Sequence, residues 1–432
     1  MEATSTQGDS NGDDEVPDNT SDASQLPAAG LRLALSAPGP FGPDGKPLFA
    51  RLPEFVAVYL VFASDVLVRM GELAEEVYHH YLAALKRIQP NMADAYENTR
   101  HCSVSFLTDT TTLKLVREWL NGVEITEASL YNTILGQTVL PNWRRLEALG
   151  PFSVEAPPSP EEFARRFHER FPGSNNVVPS HLKQGVLSLL GDGPEVESCG
   201  RFIHELAAKI PAALAKIQDG ADTITVLQQL GIPRFRALLV ARLLSIVDPT
   251  VYNMERRDIG DFAELGLWLL LGIPTAQARA MIGAPAFKAG VDKCFLALVE
   301  SLPTALAAAD QHGVVERLTR LHLLPTSAQC VEHMLCEWRK MCLPEGRTAR
   351  GDPSPGYREL WKAVAPILAR RATAMLEYEE IGGLFPDNGS SRFSPIQIHP
   401  GRIGSTNKFT RMPTTHWVSD DVHKFANVGQ GI

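Results

Sequence analysis

Residues 223–244 read TITVLQQLGIPRFRALLVARLL, and the way this stretch breaks and resumes decides the class of fold. A short helix ends at Leu230, Gly231 can take the left-handed conformation that closes a helix, and Pro233 suits the first turn of the next, with Arg234 and Arg236 following at once. This is a helix-hairpin-helix pattern. The amides that open the second helix point outward at the positive end of its dipole. A DNA phosphate can therefore be held there without readout of base sequence, with Gly231, Arg234 and Arg236 around it. The plainer alternative is helix punctuation, because Gly shortly before Pro is how many helices stop and start. Leu-Gly-Ile-Pro recurs at 271–274, and the same two readings apply to it.

Working outward, apolar residues recur at three and four from Pro53 to about Tyr378, as in Phe55, Tyr59, Phe62 and Val66, and strand-like alternation is almost absent. Ser159, Pro160 and Glu162 form a capping-box arrangement that predicts a helix running to about Arg170. Ser180 can likewise cap a helix over 181–190 that Gly191, Asp192 and Gly193 stop. The fold class expected is all-α: one multi-helix globular body over residues 49–380 that contains the hairpin. The Pro-rich stretch 153–160 either separates lobes at 49–152 and 160–380 or is an ordinary connection. Residues 1–48 have the Ser, Asp, Gly and Pro content of a disordered acidic tail. Residues 381–432 read as a second extended or disordered tail, whose Phe393, Phe409, Trp417 and Phe425 either pin it to the body, stack on bases or do neither.

The chain of 432 residues is 44% hydrophobic and carries a formal net charge of −9. Residues 1–31 hold seven acids and no Lys or Arg, which leaves 43 acids against 41 bases elsewhere, so the net charge does not speak against a local basic face. No apolar run approaches the ~20 residues of a membrane span, so no membrane partner is expected. The start of the chain lacks the basic and apolar regions of a secretory signal, and a nuclear or cytoplasmic location follows. Six cysteines include no Cys-x-x-Cys, and Cys330, Cys336 and Cys342, spaced by six, are rotated by about 240° from one to the next on a helix, so no metal site is expected. Phosphate-loop, dinucleotide, nucleophile-elbow and His-Glu-x-x-His motifs are absent, and no cofactor is expected. The adjacent Tyr78, His79, His80 and Tyr81 read as residues at the edge of the core.

Residues 330–340, CVEHMLCEWRK, look amphipathic, with His333, Glu337 and Lys340 on one helix face. An acid or imidazole beside a lysine can serve acid/base or phosphate chemistry, and the plainer reading is a solvated Glu–Lys pair.

Taken in order, the hairpin, the stretch DIGDFAELGLWLLLGIP from Asp258 and EHMLCEWRK from Glu332 resemble the helical family of α-glutamyl/putrescinyl thymine pyrophosphorylases. That family includes the helical domain attached to 5-hydroxymethyluracil DNA kinases. Residues 129–152 and 100–109 stand where the family has further segments, the second matching at Arg100 and Asp109. Gly231, Phe235, Ala237, Gly260, Gly266, Leu267, Leu335, Cys336, Glu337 and Lys340 fit its pattern, whereas Arg242 stands where it has Asp. The resemblance implies an all-α body related to helix-hairpin-helix DNA glycosylases. It further implies action on a pyrophosphorylated 5-hydroxymethyluracil-type base in DNA, with displacement of pyrophosphate by an amine or amino acid donor, or the reverse.

Under that reading Asp109, Glu337 and Lys340 surround the base, Arg100 is a second candidate for leaving-group charge, and the three must share one concave site. A degenerate relative that only binds DNA or a protein partner requires the hairpin amides and Arg234 exposed on a positive face. A helical scaffold with no nucleic-acid role predicts Gly231 buried against another helix.

Overall fold

The computed structural model describes residues 46–98, 104–178, 186–191, 193–252, 259–283, 287–343 and 356–380. Residues 1–45 of the first tail, the whole second tail, Arg100, Cys102 and the expected Ser180 cap lie outside the described residues. Among those residues the fold is all-α, with no strand. The helices are α1 (Leu52–Met70), α2 (Glu75–Ile88), α3 (Pro90–Asn98), α4 (Thr110–Trp119), α5 (Glu127–Gln137), α6 (Trp143–Leu149), α7 (Pro160–Arg170), α8 (Leu187–Leu190) and α9 (Glu195–Ala207). They continue as α10 (Ile210–Gln218), α11 (Thr223–Gln229), α12 (Arg234–Leu244), α13 (Asp261–Leu270), α14 (Thr275–Met281), α15 (Lys288–Ala309), α16 (Val314–Arg320), α17 (Ala328–Cys342) and α18 (Tyr357–Glu380).

Helix α1 is apolar on every face, and a helix of that kind must be central. From Phe55 to Leu67 it is buried without a break, and α2, α15, α16, α17 and α18 pack around it. Its few polar groups are satisfied internally: Tyr59 donates to the Pro325 carbonyl at 2.6 Å, Ser64 to that of Leu60 at 2.7 Å, and Asp65 accepts from Tyr96 at 2.8 Å and pairs with Arg69. This satisfaction matters because an unpaired buried polar group costs about 1–3 kcal/mol.

The stretch 153–159 is a connection that helices cross freely. Tyr131 of α5 donates to the Ile203 carbonyl of α9 at 2.7 Å, and Tyr357 of α18 to the Thr108 carbonyl at 2.7 Å. At its end Ser159 caps α7 by accepting from the Glu162 amide at 3.2 Å, and α7 spans the residues that the spacing predicts. The reciprocal half of the expected capping box does not form. The Glu162 carboxylate turns to Arg165 and Arg166 at 2.6–2.9 Å instead, because two guanidiniums on its own face outcompete one amide. Tyr78 and Tyr81 are buried, His80 is half-buried and His79 is exposed, as expected of residues at the edge of the core.

The closest helix crossing joins α13 to α17. A Cβ on Gly266 would lie 2.2 Å from the carbonyl oxygen of Leu335, so glycine is what lets the two backbones meet. Through that crossing α17, with Trp338 and Leu335 fully buried, is held against the hairpin region.

Candidate nucleic-acid interface

The stretch 223–244 folds as two helices around a tight turn. Asp222 caps α11 through the Thr225 amide at 2.9 Å, and Gly231 adopts φ +88°. Its amide reaches the Gln228 carbonyl at 2.9 Å, while the Ile232 amide reaches that of Leu227 at 3.3 Å. Pro233 stands just before the first turn of α12 rather than within it. The first backbone bond of α12 is Ala237 N–H to the Pro233 carbonyl, so the amides of Phe235 and Arg236 precede the intrahelical ladder.

The second Leu-Gly-Ile-Pro repeats this turn. Gly272 has φ +82°, Gly272 and Ile273 donate to Leu269 and Trp268 at 3.1 Å, and Pro274 (φ −56°, ψ 142°) matches Pro233 (φ −57°, ψ 143°). The two copies differ in their surroundings. A Cβ on Gly272 would meet that of Ala50 at 3.2 Å, and Thr275, Ala276 and Gln277 replace Arg234, Phe235 and Arg236. The second copy is punctuation without cations.

Gly231 and Arg234 are exposed, and the nearest atom to a Cβ on Gly231 is 3.9 Å away. Arg236 is not a surface cation. It is 7% exposed, its Nε has no hydrogen-bond partner among the described residues, and burial lowers its pKa. The reason is geometric: residues two apart on a helix point about 200° apart, so Arg234 and Arg236 cannot both face solvent.

Beside the hairpin stands a group the sequence reading did not assemble. Glu332 of α17 pairs with Arg242 of α12 at 3.2 Å, with both side chains at most 3% exposed, and accepts from the Gly260 amide at 3.4 Å. Burial pulls the Arg242 guanidinium down, yet Glu332 and Tyr252 outweigh it and leave the pKa above its ordinary value. Nε and Nη2 of Arg242 find no hydrogen-bond partner among the described residues. A Cβ on Gly260 would lie 3.7 Å from the Phe235 ring, and Phe235 and Phe262 are the large aromatics left exposed in this region, at 46% and 61%. A guanidinium accompanies each ring, Arg236 at 5.9 Å from Phe235 and Arg339 at 4.5 Å from Phe262.

Glu337 and Lys340 belong to the same helix, one turn further on. Lys340 Nζ is 2.7 Å from Glu337, whose side chain is 2% exposed against 27% for the lysine, so this is no solvated pair. Between Glu332 and Glu337 the Cys336 thiol is raised well above its ordinary value, by burial first and then by both carboxylates. Asp109 precedes α4 beside Tyr357, whose pKa is raised by burial and then by Asp109 and Asp65 against the lowering effect of Arg69. That cluster is built from α1, α3 and α18. Among the described residues no three His, Cys, Asp or Glu groups converge as metal ligands.

No protein family, curated protein or solved structure matches the chain. No described helix is long and apolar enough to cross a membrane. What the face can do must therefore be argued from its own residues: outward amides at a helix start, an exposed arginine and two exposed aromatic rings, each with a guanidinium beside it.

Proposed function

We propose that the chain is a DNA-binding protein that grips a phosphate through the turn at 231–236, with Phe235 and Phe262 offering faces to bases. The observation that carries this reading is the exposure of Gly231 and Arg234 at the start of α12, against a second turn of the same geometry that lacks cations. The scaffold reading requires Gly231 buried against another helix, and it is exposed; Gly272 is exposed as well, so the exposed Arg234 and not the glycine distinguishes the first turn. The dipole and first-turn amides hold the phosphate, Arg234 adds charge, and stacking on an exposed ring contributes about 1–3 kcal/mol per base.

A second reading, favoured by the buried Glu337 beside Lys340 on the helix that carries Glu332, is modification of the bound base. The resemblance to thymine pyrophosphorylases then applies: Glu337 would accept the proton of an amine donor and Lys340 would offset the charge of departing pyrophosphate. Arg242 paired with Glu332 in place of an acid weighs against full catalytic competence and leaves the binding reading ahead.

One experiment separates these. The purified chain is titrated with labelled duplex carrying thymine or 5-hydroxymethyluracil across a salt series, and nucleosides from incubations of 5-hydroxymethyluracil duplex or its pyrophosphate ester with an amine panel are weighed by mass spectrometry. Affinity is expected to fall with salt, and Arg234→Glu to weaken it at least about tenfold and to flatten the salt slope by about one. Salt-independent binding, or equal binding by the variant, would overturn the DNA reading. A mass shift in wild type that Glu337→Gln abolishes would establish the second.

A further inference from the structure

A cleft of about 640 Å³, the size range of small-molecule sites, opens where the end of α1, the end of α16 and the outer face of α18 meet. Its charge is one-sided: Arg320, His322, Arg358 and Lys362 line it against one carboxylate, Glu72. The nearest acid to Arg320 is Glu316 at 3.9 Å, with both side chains largely in solvent. Arg358 and Lys362 make no ion pair among the described residues.

Two features bear on how Arg358 and His322 are placed. The Arg358 guanidinium lies on Gly71, where a Cβ would come within 2.6 Å of its Nε, so glycine leaves the room in which the fork sits. His322 closes α16 with φ +59°, its amide reaching the Thr319 carbonyl at 3.0 Å and the next amide reaching that of Leu318 at 3.1 Å. The same closing turn at 71, 231 and 272 uses glycine, the residue that takes this conformation without strain. Here a β-carbon is accepted at a cost, and the imidazole it carries lines the cleft. Leu321, Ala365 and Pro366 supply the accessible apolar wall of the cleft, since Met70 and Trp361 are each only 2% exposed.

We propose that this cleft binds a phosphorylated small molecule, a phosphomonoester carried on a compact apolar or aromatic body, as in a nucleoside monophosphate. A dianionic phosphate answers the excess of positive charge, the Arg358 fork matches two of its oxygens, and the body covers the apolar wall. The site is distinct from the hairpin face and stands whether or not that face binds DNA.

Titration calorimetry on the full chain tests it, with thymidine 5′-monophosphate, thymidine and inorganic phosphate as probes. The monophosphate is expected to bind, thymidine to give no heat, and inorganic phosphate to bind at least tenfold more weakly than the monophosphate. Arg358→Gln and Lys362→Gln, both at exposed positions, should each weaken the monophosphate at least tenfold. His322→Gly should weaken it while raising the unfolding midpoint, a pairing that a damaged fold cannot produce. Absence of heat from the monophosphate, equal affinity for thymidine or free phosphate, or unchanged affinity in the Arg358 and Lys362 variants would overturn the proposal. So would loss of duplex binding in Lys362→Gln without any monophosphate binding in wild type.

Discussion

Glu332→Gln is expected to destabilise the protein by about 3–5 kcal/mol, whereas the double replacement Arg242→Met with Glu332→Leu recovers most or all of that loss. The asymmetry follows from desolvation. Arg242 and Glu332 are both taken out of water and joined by a single bond at 3.2 Å, and Nε and Nη2 of the guanidinium find no acceptor among the described residues. Removing only the carboxylate strands a cation in the core, while removing both groups leaves an apolar contact between α12 and α17 that needs no compensation. Urea unfolding of Arg242→Met, Glu332→Leu and the double variant closes the cycle. The coupling should exceed about 2 kcal/mol, and additive effects would show that the pair is not the electrostatic unit described above. Because Glu332 also accepts from the Gly260 amide, its loss should loosen the face on which Phe235 stands.

Gly266→Ala is expected to cost about 3 kcal/mol, against the usual gain of about 1 kcal/mol for Gly to Ala inside a helix. The new methyl would lie 2.2 Å from the Leu335 carbonyl oxygen, and backbone on both sides of the crossing leaves nothing flexible to yield. Gly136→Ala is the control. Its methyl meets the end of the Leu115 side chain at 2.8 Å, which can turn aside, and a change within about 1 kcal/mol is expected. Denaturant midpoints of the two variants compare them directly. Equal midpoints would mean that the α13–α17 crossing is looser than described.

Local signals carried the fold and left the site incomplete. The apolar period, the Ser159 cap and the Gly-Pro punctuation act within a few residues, so the helical class and the bounds of α7, α11 and α12 could be read directly. The orientation of Arg236 was legible too, from the angle between neighbours on a helix, and was overlooked in favour of charge alone. The Glu332–Arg242 pair spans 90 residues, and no local pattern announces which acid answers a buried arginine. The neighbourhood of Asp109 and Tyr357 joins residues 248 apart in the chain, which no local pattern announces. Phe235 and Phe262 look like core residues by type, and only the packed helices reveal that they are left outside.

The central claim is that the turn at 231–236 touches DNA and that its geometric twin does not. A photoreactive benzoylphenylalanine is placed at Phe235, or at Ala276, the equivalent position of the second turn, and each protein is irradiated with labelled duplex. The account predicts a salt-sensitive crosslink from position 235 and none from position 276. Crosslinking from 276 alone, equally from both, or from neither would contradict it.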